Sequence, residues 1–210
     1  TFSMQYMDAL HHFTLYYYDQ ANNLIKTIPP DGVKLLSQSS TLQAIQYMRN
    51  PIPTNTPVTP THTMPSDYTY NSLNQLRKQR IPDHDGESVF YYDYLSRIVV
   101  SQNAEQAKNI NQRFRYSYTL YDNLNRPKET GELVKVLIST PMTDVVARDS
   151  LGLLTWIASK NKREVTTTQY DEPLPGIPNL YFNGNASNYR NRVASVTYQE
   201  LEGSPVENST

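Results

Sequence analysis

The chain has 210 residues, with 19 Lys and Arg against 20 Asp and Glu, so its formal net charge is -1. A nearly neutral chain lacks the excess of basic residues on which phosphate neutralisation depends, and this argues against a nucleic-acid-binding protein. Cysteine is absent, which excludes a disulfide framework, a zinc-thiolate site and a cysteine nucleophile.

No membrane span is predicted. The longest nearly apolar run covers residues 151–158, whereas a spanning helix needs about 18 or more apolar residues. Position 1 is Thr, and no basic region followed by an apolar stretch opens the chain, so no secretory leader is recognised. We expect the sequence to be an internal piece of a longer polypeptide.

Tyrosine dominates the aromatic residues, with 17 Tyr against five Phe and one Trp. Its ring suits a half-buried pleated surface, so tyrosine favours strands. Four segments, 18–24, 70–76, 92–98 and 121–127, share one plan: a tyrosine, then Asp or Asn, and an apolar residue six positions after the tyrosine. Such internal similarity predicts a repeat architecture.

Each of these segments is predicted to form a strand, a turn and a second strand. The acid or amide after the tyrosine can bond to the turn backbone, and Asn four residues after the tyrosine can adopt the left-handed conformation, with Ser96 as the exception. The apolar residue is predicted to return the chain to the buried face. The motif residues are Tyr18, Asp19, Asn22 and Leu24; Tyr70, Asn71, Asn74 and Leu76; Tyr92, Asp93, Arg97 and Ile98; and Tyr121, Asp122, Asn125 and Arg126.

Segments of different character lie between the repeats. A helix is predicted over 37–50, with a packing stripe of Leu42, Ile45 and Met48. One or two short helices are predicted over 143–159, before a strand over 164–169. The predicted organisation is repeat strands over 1–36, a helical insertion with a Pro- and Thr-rich connector over 37–65, repeat strands over 66–142, a short helical insertion over 143–163, and repeat strands with a loop over 164–210.

The sequence offers few candidates for chemistry. His11 and His12 are adjacent, so in a strand they point to opposite faces, and a strand role is favoured over metal binding. Residues 83–86, Asp-His-Asp-Gly, lack the later ligands of a calcium loop, and a hairpin turn is favoured there. There is no Gly-x-Ser-x-Gly elbow and no Gly-rich phosphate loop. We therefore expect no catalytic, cofactor-binding or metal-binding residue and no enzyme activity.

The repeated Tyr-Asp units, followed by Pro-Asp turns, resemble the YD repeat of the rearrangement-hotspot (RHS) family. The stretches 70–76, 99–106 and 191–198 are similar to large bacterial members of that family. The resemblance covers roughly residues 16–198, with recognisable motifs in about half of that range. The family usually places Gly where this chain has Asn22, Asn74, Ser96 and Asn125, so the turns are where this chain departs from the family pattern.

The resemblance implies an all-β fold, in which antiparallel strand-turn-strand units build part of a spiral hollow shell with small helical insertions. It implies a non-catalytic wall segment of a secreted or bacterial cell-surface protein that encloses a C-terminal toxin or effector polypeptide. The implied partners are the rest of the long chain, the enclosed polypeptide and secretion machinery. Two alternatives remain open, namely a cell-surface adhesin or stalk whose tyrosine-rich sheet binds surface glycan, and the ordered part of a secretion-system cargo.

Overall fold

A computed structural model describes residues 13–50, 58–108, 113–172, 190–201 and 207–209. The His11–His12 pair and residues 51–57 of the predicted connector lie outside the described residues. The chain divides into two compact units, residues 1–85 and residues 86–210. Both consist mainly of antiparallel strands with few helices, which confirms the all-β class. In the described ranges, no helix is long and apolar enough to cross a membrane.

The first unit is built from two hairpins joined in sequence order. Its strands are β1 (Leu15–Tyr18), β2 (Leu24–Ile28), β3 (Ser66–Tyr70) and β4 (Leu76–Arg80). Each strand pairs antiparallel with the next along the chain. A short 3-10 turn (Pro30–Gly32) and helix α1 (Gln38–Arg49) separate β2 from β3. The two strands nevertheless pair directly, so the insertion lies outside the ladder of strands.

Helix α1 occupies the region where the sequence predicts a helix. Ser37 caps it, since the Ser37 hydroxyl accepts a hydrogen bond from the Ser40 amide at 3.1 Å. The predicted packing role is wrong within the described residues: no α1 residue is buried, and Leu42 and Met48 are 56% and 80% exposed. A physical reason is composition, because α1 is mostly polar and its apolar stripe is narrow, so little apolar area is available for burial.

The second unit continues the same plan with longer strands. They are β5 (Glu87–Tyr92), β6 (Ile98–Gln102), β7 (Arg113–Tyr121), β8 (Pro127–Leu137), β9 (Asn161–Tyr170), β10 (Val193–Leu201) and β11 (Glu207–Ser209). Consecutive strands pair antiparallel throughout. Strand β9 begins three residues before the predicted start at 164, since its first residue already pairs with Val134 of β8.

Two short helices, α2 (Asp144–Arg148) and α3 (Ser150–Ala158), connect β8 to β9. Asp149 separates them. Its amide donates to the Val145 carbonyl and ends α2, while its carboxylate accepts from the Leu151 amide at 3.2 Å and begins α3. The buried side chains of Ala147 and Ile157 attach these helices to the core of the second unit. This insertion, unlike α1, completes a hydrophobic core.

The buried tyrosines are not the motif tyrosines. The core of the second unit contains Tyr91, Tyr116 and Tyr118, which are 7%, 2% and 2% exposed, whereas Tyr92 is only half-buried. Neighbouring residues of a strand point to opposite faces, and Tyr91 belongs to the core that includes residues of α2 and α3. The prediction that the sixth residue returns to the buried face also fails at Ile98, which is 41% exposed.

Candidate functional site

The four motif segments form turns with the same hydrogen bonds. In the β5–β6 turn, the Asp93 amide donates to the Arg97 carbonyl at 3.0 Å. Asp93 Oδ1 accepts from the amides of Leu95 and Arg97, both at 2.9 Å. The equivalent side-chain bonds of Asp19, Asn71 and Asp122 measure 2.8 to 3.0 Å. One oxygen thus satisfies two backbone donors, as expected for Asp and Asn in turns.

The residue four positions after each motif tyrosine adopts the left-handed backbone conformation. Its φ is 64° at Asn22, 56° at Asn74 and 64° at Asn125. Ser96, the exception in the sequence pattern, has the same conformation with φ 67°. The side-chain and backbone bonds of the turn therefore hold even a serine in a conformation that costs most non-glycine residues about 1 to 2 kcal/mol.

Ser96→Gly is expected to stabilise the second unit by about 0.5 to 1 kcal/mol, because the relief of left-handed strain exceeds the extra backbone entropy of glycine. Urea denaturation of the variant and the parent measures the difference. Ser101→Gly is the matched control, since Ser101 lies within the extended strand β6 and should lose stability. A destabilising Ser96→Gly substitution would contradict this account of the turn.

At Asn23, Arg97 and Arg126, the residue five positions after the tyrosine connects its turn to the next one along the chain. Arg97 Nε donates to Asp93 Oδ2 at 2.8 Å within its own turn. A terminal nitrogen of the same guanidinium donates to Asn125 Oδ1 at 2.7 Å in the β7–β8 turn. The guanidinium carbon lies 4.5 Å from the centre of the Tyr121 ring. Arg97 therefore bonds to two turns and stacks on the second.

Arg126 repeats this arrangement one turn further along. Its Nε donates to Asp122 Oδ2 at 2.7 Å, its guanidinium lies 4.1 Å from the Tyr170 ring centre, and its terminal nitrogens bond to both oxygens of Asp171. In the first unit, Asn23 takes the same place: its amide donates to Asp19 Oδ2 at 3.0 Å and to Asn74 Oδ1 at 3.3 Å. Within each compact unit, we call these linked side chains the turn ladder.

Within each compact unit, a tyrosine hydroxyl joins successive hairpins. Tyr70 donates to the Leu24 carbonyl, Tyr121 to the Ile98 carbonyl and Tyr170 to the Pro127 carbonyl, each at 3.0 Å. Every acceptor lies six residues after the motif tyrosine of the preceding hairpin. The sixth residue thus acts through its carbonyl.

Tyr170 and Asp171 were not among the predicted motif residues, because no motif residue follows them at the expected spacing in the sequence.

The carboxylates of the turn ladder in the second unit are paired with arginine side chains. Hydrogen bonding by Arg126 holds the pKa of the Asp171 carboxyl below its ordinary value. Burial alone would raise the pKa of Asp122, but hydrogen bonds from the Arg126 amide and side chain outweigh burial, and the net pKa is lowered. Both carboxylates are therefore ionised partners of arginine across the neutral pH range. Their oxygens accept structural hydrogen bonds.

A cavity of about 340 Å³ opens between two turns of the ladder and helix α3. Arg97 and Asn125 form part of its polar wall, and Leu95 and Leu154 form part of its apolar wall. Tyr94 also lines it and is 65% exposed. Within the described residues, no group of three His, Asp or Glu side chains is placed to hold a metal ion. Because the ladder charges are paired, the cavity chemistry suits a neutral ligand with an apolar face.

Comparison with models of known protein families and with curated protein sequences finds no match to this chain.

Proposed function

We propose that the chain is a wall segment of a large YD-repeat polypeptide, a non-catalytic sheet that encloses a C-terminal toxin or effector polypeptide. The wall would act physically, by keeping the enclosed polypeptide away from proteases and solvent until delivery. The protein would be secreted or displayed on a bacterial surface. The observation that carries the proposal is the turn ladder, in which successive hairpins of each compact unit bond to one another.

This ladder supports a wall because its contacts are directional and repeatable. In a repeat hairpin, the motif tyrosine and the residue five positions after it each have a defined acceptor in a neighbouring hairpin. Such nearest-neighbour bonding lets a sheet lengthen by one hairpin at a time without a new kind of contact. Strands that pair in sequence order along each unit are what an extended wall requires.

Helix insertions also fit this role. The α2–α3 insertion covers one face of the second unit and buries Leu133, Val136 and Tyr116. A sheet without such a layer has a weaker core, because burying apolar side chains supplies most of the folding free energy. A wall can therefore carry local cores along its length and still remain one sheet of repeats.

Limited proteolysis of the intact native parent polypeptide tests the proposal. We expect a large resistant repeat body that protects a separate small C-terminal polypeptide, with each surviving piece identified by mass spectrometry. The control is the same C-terminal polypeptide produced without the repeats, which should be digested rapidly. Equal digestion of the C-terminal polypeptide in the two samples would contradict enclosure.

A second candidate function is glycan binding by a surface adhesin or stalk. The cavity beside Tyr94 favours it, because an exposed aromatic ring next to polar amide groups suits the apolar face and hydroxyls of a sugar. Binding of the parent protein to a glycan array measures this function, with Tyr94→Ala as the variant expected to lose binding. Resistant repeats with no enclosed polypeptide, together with glycan binding that depends on Tyr94, would favour the adhesin.

A further inference from the structure

Tyr170 makes the contacts of a motif tyrosine. Its hydroxyl donates to the Pro127 carbonyl at 3.0 Å, as the Tyr121 hydroxyl does to the Ile98 carbonyl. The Arg126 guanidinium stacks on its ring, 4.1 Å from the ring centre. An acid follows it directly, as an acid or amide does in the other units. The first half of a repeat unit therefore lies at the C-terminal end of β9.

The second half of the same repeat unit is Arg190–Val193, which leads into strand β10. Asn191 is left-handed with φ 57°, like Asn125 with φ 64°. The Asp171 amide donates to the Arg192 carbonyl at 3.2 Å, which is the bond that the acid or amide residue makes to the fifth residue in every other unit. Val193 pairs with Tyr170, and the register shifts next to this pair, as it does beside the tyrosine of the other four hairpins.

We infer that Tyr170–Glu172 and Arg190–Val193 are two halves of a fifth repeat unit, and that residues 173–189 are an insertion at a permissive site in its turn. If these 17 residues are removed, the remaining sequence reads Tyr-Asp-Glu-Arg-Asn-Arg-Val. Asn then lies four residues and Val six residues after the tyrosine, which is the spacing of segments 18–24, 70–76 and 121–127. Removal of one residue more or one residue fewer would break this spacing.

The structure also indicates how the turn tolerates the insertion. Both Asp171 oxygens bond to the Arg126 guanidinium, and Asp171 Oδ1 accepts from the Asn191 amide at 2.6 Å. These bonds attach both ends of the insertion to the preceding hairpin and to each other. Asp171 itself has φ 66°, unlike the acids and amides of the other four units. This residue marks the point where the chain departs from the uninterrupted turn.

The site is therefore a place where the repeat array accepts a foreign peptide segment without loss of its hydrogen-bonded sheet. Among the described residues, Arg126, Asp171, Asn191 and Arg192 supply contacts that close the unit. We expect the sheet to tolerate a segment of different length and composition at this position. This inference does not depend on whether the array encloses another polypeptide.

Three deletions in the full chain test the inference. Removing residues 173–189 restores the unit, whereas removing 173–188 or 173–190 leaves it one residue too long or too short. Amide hydrogen exchange in β9 and β10 and the melting temperature are the readouts. We expect the 173–189 deletion to keep the parent exchange protection and melting temperature. The two control deletions should exchange at least about tenfold faster in these strands, because their pairing register is broken.

A second experiment guards against a deletion that fails to fold for an unrelated reason. A Gly- and Ser-rich segment about as long as the insertion itself is added after Asn179 in the full chain, and we expect unchanged exchange protection in β9 and β10. Asp171→Ala in the same chain should accelerate exchange there, because it removes the bonds to Arg126 and Asn191. Equal protection in the three deletion variants, or loss of protection in the Gly and Ser variant, would overturn the permissive site.

Discussion

Replacing Tyr116 with alanine is expected to lower the free energy of unfolding of the second unit by about 3 to 5 kcal/mol, the range for removing a large aromatic side chain from a core. Tyr116 is 2% exposed, and it is among the largest fully buried side chains of the described residues. Its ring meets the Trp156 ring edge-on, with centroids 5.6 Å apart and planes at 83°. The substitution would therefore leave a cavity where β7 contacts α3 and would remove a favourable aromatic pair.

Urea denaturation followed by tryptophan fluorescence measures this loss directly, because the chain has one Trp and it contacts Tyr116. Tyr94→Ala is the matched control. It removes the same atoms from a side chain that is 65% exposed, and we expect a change within about 0.5 kcal/mol. Similar losses for the two variants would show that the α2–α3 insertion does not complete the core.

Asp93→Ala is expected to cost about 3 kcal/mol of unfolding free energy, the lower end of the range for breaking a buried ion pair. The Asp93 side chain is 6% exposed. It accepts two backbone hydrogen bonds and pairs with Arg97, whose terminal nitrogen lies 2.6 Å from Asp93 Oδ2. Alanine would leave two amides and a guanidinium without this partner. Arg97 is 23% exposed, so water offsets part of the loss.

Three further variants separate the contributions of this carboxylate. Asp93→Asn keeps the oxygen that accepts the backbone bonds but removes the charge, so it should lose less than Asp93→Ala. The double variant Asp93→Ala with Arg97→Ala measures the coupling between the two side chains. Asp19→Ala breaks the same turn bonds at an exposed position and should cost less than Asp93→Ala. An equal loss at Asp19 and Asp93 would mean that burial adds nothing.

Residue types at short spacing were enough to predict the turns and two insertions. Asp or Asn after a tyrosine, with Asn three residues further along, indicated hairpins because all of the bonds involved join residues at most four apart. The same short range explains why helices could be predicted over 37–50 and 143–159. Ser96 escaped this reasoning, because serine has little intrinsic preference for the conformation that its turn imposes.

Contacts between hairpins could not be predicted from the pattern. The bond from Arg97 to Asn125 joins residues 28 apart, and the bond from Tyr170 to Pro127 joins residues 43 apart. Such bonds depend on which strands pair and in what register, and register is set by the whole sheet. The second half of the fifth unit escaped detection for a related reason, since 17 additional residues separate it from Tyr170–Glu172 in sequence although pairing of β9 with β10 brings the two halves together.

Which apolar side chains are buried was likewise not predictable from the sequence alone. The sequence alone specified the alternating pattern and the apolar stripes of this protein, but both α1 and α3 carry exposed leucines, and only α3 also buries one in a core. The two helices also differ in composition, since α1 is mostly polar and α3 is mostly apolar. Both insertions connect strands that pair directly, β2 with β3 and β8 with β9, but of the two only the α2–α3 insertion lies against a buried face, the one that carries Tyr116. An apolar side chain becomes part of a core only where the tertiary structure provides a surface for it to cover.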